Sequence, residues 1–192
     1  MKLIFASENK GKLKEVLQIF SDTNFEIIAL SEFGEIQEII EDGETYYDNA
    51  LIKAKFIFDL YGTPTIADDS GLSVEQLGGK PGVHSARFAG ENCTFSDNNK
   101  KLKKELSVFP KPHNAKFISC ALFYDGSKII SEIGELPGQI INEFRGSHGF
   151  GYDPIFVPDG FNTTLGEMSV EEKNKISHRA ISFSKLKNKL IS

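Results

Sequence analysis

The chain's 192 residues read as an α/β domain: a β-sheet flanked by helices, organised as two lobes with a cleft between them. Three observations predict this. The first thirty residues run apolar strand, polar loop, amphipathic helix, apolar strand, the opening of a sheet covered by helices. The second half is richer in β-prone runs than the first. The length suits one compact domain over 1–192, because a single hydrophobic core stops growing at roughly 250–300 residues.

Leu3 to Ala6 reads as a buried strand, followed by the polar loop Ser7-Glu8-Asn9-Lys10-Gly11-Lys12. The next helix places Leu13, Val16, Leu17 and Phe20 at helical spacing, and Phe25 to Leu30 has strand length. A second helix starts after Thr45, its N-cap, with Asp48 at the third helical position and Ala50, Leu51, Ala54, Ile57 and Phe58 as its apolar positions. Pro64 to Ala67 is a short strand leading into Asp68-Asp69-Ser70-Gly71. Gly78-Gly79-Lys80-Pro81-Gly82 is a loop, since its glycines and proline would break a helix or a strand.

Phe117 to Tyr124 and Lys128 to Ile133 are β-rich and flank Asp125-Gly126, the signal of a hairpin with a type I′ turn. Gly138 to Phe144 is read as another strand. Ser169-Val170-Glu171-Glu172 has capping-box form, and a last helix from about Ser177 puts Phe183, Leu186 and Leu190 on one stripe. There is no internal repeat, low-complexity stretch or linker.

Composition excludes several classes. Lys and Arg number 22 against 27 Asp and Glu, a net charge of −5, which disfavours a nucleic-acid surface but not a small anion in a local pocket. No apolar run approaches the ~20 residues of a membrane span. The apolar start Met1 to Ala6 turns charged at Glu8 and Lys10, unlike a signal peptide, so a cytoplasmic location is expected. The two cysteines, Cys93 and Cys120, have neither disulfide-framework nor zinc spacing.

Five segments carry residues suited to chemistry. The loop Ser7 to Lys12 precedes a helix N-terminus, where free N–H groups and the helix dipole favour an anion; it is equally an ordinary turn with an N-cap. Asp68 and Asp69, adjacent at the end of an apolar strand, point to opposite sides and take different partners if the strand persists; the alternative is an Asx-turn with Gly71 at a left-handed position. One of them can hold a divalent cation, since Mg²⁺ uses one or two carboxylates with waters and phosphates, and Glu41 or Asp42 offers a second oxygen ligand. Lys53 is either a solvated helix lysine or a cation directed at phosphate. Phe150, between Gly149 and Gly151 and followed by Tyr152 and Asp153, is either core or a ring that stacks on a base. Lys173, His178 and Arg179 cluster near a helix start, where the basic pair opposes the helix dipole; they are either a solvated surface group or one of the breaches of local consistency that concentrate at functional sites.

Together these segments resemble the inosine triphosphate pyrophosphatase family. The markers are Ser7-x-Asn9-x-x-Lys12, Asn49-Ala50-x-x-Lys53-Ala54, Ala67-Asp68-Asp69-Ser70-Gly71-Leu72, Leu77-Gly78-Gly79-x-Pro81-Gly82, Ser85-Ala86-Arg87, Gly149-Phe150-Gly151-Tyr152-Asp153-Pro154 and Glu172-Lys173-x-x-x-Ser177-His178-Arg179. Each is short, but their order and spacing over nearly the whole chain are specific.

The resemblance implies an elongated mixed sheet, a nucleotide-binding cleft between two lobes, a homodimer, and Mg²⁺-dependent hydrolysis of ITP, dITP and XTP to the monophosphate and pyrophosphate. It implies that Ser7, Glu8, Asn9, Lys10, Gly11, Lys12 and Lys53 hold the triphosphate, with Ser70 beside them. Asp69 would be the proton acceptor and, with Glu41, the metal site. Phe150, Gly151, Tyr152 and Asp153 would frame the base, and Lys173, His178 and Arg179 would bind phosphate and the 6-oxo edge. Glu8 departs from the small residue common in the family, and either turns outward or joins the metal shell. The rival readings are a nucleotide-binding sensor without turnover and a pyrophosphatase of other modified nucleotides.

Overall fold

The computed structural model describes residues 1–34 and 36–191. Six strands form one mixed sheet: β1 (Lys2–Phe5), β2 (Glu26–Ala29), β3 (Thr65–Val74), β4 (His113–Tyr124), β5 (Ile129–Ile140) and β6 (Phe156–Pro158), in the order β2-β1-β3-β4-β5-β6. β1 pairs in parallel with β2 and with β3, while β5 and β6 are antiparallel. Parallel neighbours require a crossover, and the helix α1 (Lys10–Phe20) supplies it between β1 and β2. The other helices are α2 (Tyr46–Tyr61), α3 (Phe95–Leu106), α4 (Val170–Lys173) and α5 (His178–Ile191). No helix among the described residues is long and apolar enough to cross a membrane.

The chain divides into two compact units. Unit 1 comprises Met1–Asp69, Ser119–Gly134 and His178–Ser192. Its inner strands β1, β3 and β4 are buried on both faces, and strand alternation sorts the side chains. Leu3, Phe5, Ile66, Ala121 and Phe123 face α1 and α5, where they meet Val16, Ile19, Phe20, Ala180, Phe183 and Leu186. Ile4, Ala6, Ala67, Cys120 and Leu122 face α2, against Ala50, Ala54 and Ile57. Unit 2 comprises Ser70–Ile118 and Glu135–Ser177, with a core that includes Leu72, Val74, Leu102, Leu106, Phe117, Ile155 and Phe156.

Several elements follow the sequence closely. Thr45 and Asp48 form a reciprocal capping box at α2, as Ser169 and Glu172 do at α4. Four readings need correction. Leu17 is exposed, and α1 instead buries Glu15 and Ile19, because Glu15 has a cationic partner inside unit 1. The segment Gly138 to Phe144 is no separate strand, since β5 itself continues to Ile140. Gly134 explains the misleading break: a Cβ there would strike the carbonyl of His178, so glycine lets α5 lie against the strand.

The β4–β5 connection is longer than a two-residue type I′ turn. It spans Asp125 to Lys128, and the Asp125 carboxylate accepts from the Ser127 and Lys128 amides. Finally, α3 went unread. Its signal is the Thr94-x-x-Asp97 box, which caps it as Thr45 and Asp48 cap α2.

Candidate active site

Strand β3 does not turn at Asp68-Asp69; it runs on through Gly71 to Val74. Alternation therefore sends the two carboxylates to opposite faces, Asp68 with Ile66 towards α1 and α5, and Asp69 with Ala67 towards α2.

On the Asp68 face, Asn9 caps α1: its Oδ1 accepts from the amides of Gly11 at 2.9 Å and Lys12 at 3.1 Å. Ser7 Oγ accepts from the Asn9 amide. The cap fixes the start of α1, so that Lys12 Nζ reaches Asp68 Oδ2 at 3.1 Å. Arg179, second residue of α5 and fully buried, donates from Nε to the same Oδ2 at 3.1 Å and from Nη1 to Glu15 Oε2 at 2.6 Å. Burial alone would raise the Asp68 carboxyl's pKa. The charges of Lys12 and Arg179 outweigh it and hold the group well below the usual carboxylate range. Burial lowers the Lys12 pKa, with Asp68 opposing. Glu8 and Lys10 are exposed, Gly11 is half-buried, and His178 is buried beside Arg179.

The Asp69 face is organised by α2. Tyr46, Asn49 and Lys53 fall at i, i+3 and i+7, on one side of the helix. Asn49 Oδ1 accepts from the Gly43 amide at 2.8 Å, which turns its Nδ2 to donate to Asp69 Oδ2 at 3.1 Å. Lys53 is buried rather than solvated. Its Nζ donates to Glu41 Oε2 at 2.6 Å and lies 3.7 Å from Asp69 Oδ1.

The two proposed metal carboxylates thus converge on one ammonium. Burial pushes the Asp69 pKa up; Lys53, Lys12 and the Asn49 donor pull it down, and the charge of Glu41 adds to the rise. The net direction is upward, opposite to that of Asp68. Burial, then the charge of Asp69, also raises the pKa of the Tyr46 phenol, which stays protonated.

In unit 2 the glycine-rich segment folds on Asp153. Its Oδ2 accepts from the Phe150 amide at 2.8 Å and from Lys173 Nζ at 2.7 Å, both members of the ion pair being buried. Gly149 adopts φ +75°, and a Cβ there would collide with that carboxylate. Lys173 Nζ lies 4.7 Å from the centre of the Phe150 ring, which is half-buried and adjoins Phe95. Tyr152 is a core residue whose hydroxyl donates to the Ser85 carbonyl at 2.9 Å, and Gly151 O accepts from Asn99 Nδ2. Ser70, half-buried, opens this unit.

The structure therefore groups the sequence candidates in threes: Lys12, Asp68 and Arg179; Lys53, Asp69 and Glu41; Phe150, Asp153 and Lys173. Sequence reasoning missed Glu15, Asn49 and Tyr46 as partners. Their signal was a polar or phenolic side chain at helical spacing from a residue already suspected: Asn49 and Tyr46 from Lys53, and Glu15 from Lys12.

A mixed α/β sheet that carries a buried carboxylate beside a lysine offers the setting of a proton acceptor. The chain belongs to the Ham1 family, whose model matches residues 3–189. It is 45% identical to the dITP/XTP pyrophosphatase of Caldanaerobacter subterraneus subsp. tengcongensis, covering 100% of this chain and 96% of that one. It is 46% identical to the dITP/XTP pyrophosphatase of Porphyromonas gingivalis, covering 99% and 97%. Among solved structures, a HAM1 protein from Coxiella burnetii superposes with a TM-score of 0.90 at 34% identity, over 100% of this chain and 98% of that one. The Staphylococcus aureus Ham1 protein gives 0.87 at 34% identity, over 99% and 98%.

Proposed function

We propose that this protein hydrolyses the non-standard purine nucleotides dITP, XTP and ITP to the nucleoside monophosphate and pyrophosphate. The observation that carries the reading is Asp69: a buried carboxylate of raised basicity, held by Asn49 beside Lys53, at the heart of a chain whose full-length relatives are named for dITP and XTP.

The chemistry follows from these groups. The Asp69 carboxylate takes a proton from water as the water oxygen bonds to the α-phosphorus. The bond from that phosphorus to the bridging oxygen breaks, and pyrophosphate leaves. A carboxylate whose pKa is raised is a better base than an ordinary one, and general-base action of this kind contributes about 10²- to 10⁴-fold. Lys12 and Lys53 balance charge on the phosphates.

Glu41 and Asp69 share one cation in Lys53, and two hard oxygen donors match what Mg²⁺ takes from protein. They would hold the ion, which when bound would neutralise triphosphate charge. The Ser7-to-Lys12 turn is assigned to the phosphates as well. Arg179 acts from behind, holding Asp68 and through it Lys12.

In unit 2, Phe150 is assigned the face of the base, with Tyr152 and Asn99 bracing the segment that carries it. Lys173 and His178 are assigned to the 6-oxo edge or phosphate. An amino group at that position, as in adenine, would leave such donors unpaired, at about 1–3 kcal/mol each. Homodimeric assembly, a cytoplasmic location and the lack of a nucleic-acid partner belong to the same proposal.

The test is to supply dITP, XTP, ITP, GTP and ATP with Mg²⁺ and quantify pyrophosphate and phosphate separately. Pyrophosphate from the first three, well ahead of GTP and ATP, is expected. No pyrophosphate from any, or equal rates from all, overturns the reading.

A further inference from the structure

Helix α2 bears two residues one turn apart, Asn49 and Lys53, that each reach both Asp69 and the loop of residues 41–43. Lys53 does so with charge: its Nζ lies 2.6 Å from Glu41 Oε2 and 3.7 Å from Asp69 Oδ1. Asn49 does so without charge. Its Oδ1 accepts from the Gly43 amide at 2.8 Å, and its Nδ2 donates to Asp69 Oδ2 at 3.1 Å. The chemistry above employs Lys53, Glu41 and Asp69; the bond from Asn49 to the loop has no part in it.

The Asn49 link is a fixed one. The side chain is 1% exposed, so water does not compete for its bonds. Its partners settle which way the amide points, since the Gly43 N–H can only donate and an ionised carboxylate only accepts. Its backbone sits on a braced turn: the Asn49 amide donates to the Thr45 carbonyl, and Thr45 and Asp48 cap the helix reciprocally. On the loop side the approach is close enough to require glycine. A Cβ on Gly43 would lie 2.6 Å from Asp48 Cβ and 2.7 Å from Asn49 Oδ1. Two residues of chain reach at most about 7 Å, so pinning Gly43 also limits where Glu41 can go.

We propose that Asn49 is a positioning residue, a neutral tie that keeps the Glu41 loop and Asp69 in place when Lys53 turns from them to a substrate phosphate. The assignment rests on the pyrophosphatase reading, which sends Lys53 to phosphate, and extends it to Asn49 and Gly43. As Lys53 is drawn to a triphosphate, its hold on Glu41 and Asp69 weakens, and the two carboxylates repel each other. The amide link carries no net charge, so a polyanion does not pull it away. Carboxylates that hold an ion are themselves held by such outer hydrogen bonds, whose loss costs about 10- to 100-fold in metal affinity or activity.

Two experiments test the inference, one of them without turnover. A crystal structure of Lys53→Met, free of nucleotide, imitates the protein with the charged clasp released. Asn49 should still hold the Gly43 amide and Asp69 Oδ2 within about 3.2 Å. Departure of either partner from Asn49 overturns the proposal, whatever the enzyme's substrate. The second variant, Gly43→Ala, pushes the loop off the amide and leaves Asn49, Lys53 and both carboxylates in the chain. With dITP it should lower kcat and raise the Mg²⁺ concentration for half-maximal rate, each about tenfold or more. Its melting temperature should stay within about 4 °C of wild type. A kcat and a Mg²⁺ midpoint both within about twofold of an active wild type overturn the proposal and leave the pyrophosphatase reading standing. A loss of rate with an unmoved Mg²⁺ midpoint also overturns it, because a merely structural glycine changes the amount of folded enzyme and not its demand for the ion. A wild type that releases no pyrophosphate overturns that reading, and the Lys53→Met structure then decides the tie by itself.

Discussion

Asp68 and Asp69 are neighbours in sequence with opposite fates. Asp68 meets two cations, from α1 and α5, and its acidity rises far above that of a free carboxylate. Asp69 meets an amide and a more distant lysine, has Glu41 nearby, and becomes more basic than a free carboxylate. One strand thus presents an ionised anchor on one face and a more basic carboxylate on the other. Burial raises the pKa of both; what separates them is how many cations the facing helices bring within bonding distance.

The largest expected effect isolates the acceptor. Asp69→Asn should cut turnover by about 10³-fold or more while the melting temperature holds or rises. The sign follows from the raised pKa: folding disfavours the ionised form of Asp69, so its charge costs stability at neutral pH, and the amide removes that cost. Wild-type turnover in Asp69→Asn would break the comparison outright.

Next comes the anchor. Arg179→Met strands Asp68 and Glu15 without their shared guanidinium. It should destabilise unit 1 by about 3–5 kcal/mol, read by urea unfolding.

A smaller effect distinguishes the two acids by pH. Asp68, with its depressed folded pKa, contributes stability that is complete above the ordinary carboxylate value of 3.8 and is lost as pH falls below it towards the folded value. The wild-type melting temperature should therefore drop steeply in that acid range. Asp68→Asn should start lower at neutral pH and fall less steeply. Equal slopes in the two proteins would remove the ion network from the account.

The smallest effect sets the scale. Thr94→Ala at the cap of α3 should cost about 1 kcal/mol, with turnover per folded molecule unchanged.

Much of this was legible residue by residue. The strand period through Leu3-Ile4-Phe5-Ala6, the caps at Thr45 and Ser169, and the opposed directions of Asp68 and Asp69 are local matters, set by backbone geometry over a few residues. The candidate residues were legible as types in order. Their partners were not. Glu15 and Arg179 bond across 164 positions of sequence, and nothing local to Lys12 or Lys53 tells that Asp68 receives the one and Glu41 the other. The helix α3 was missed because Asn98 and Asn99, both buried, hide its apolar period.

The sequence by itself determined the α/β class, the family resemblance and which residue types would carry the chemistry, because those depend on local periodicity and on motif spacing. Only the tertiary structure decided which cations each of the two carboxylates meets, and that Arg179 and Tyr152 brace from within while Phe150 stays half-buried. A side chain's acidity and availability are set by the charges and dielectric around it, and those are supplied by segments far away in the chain.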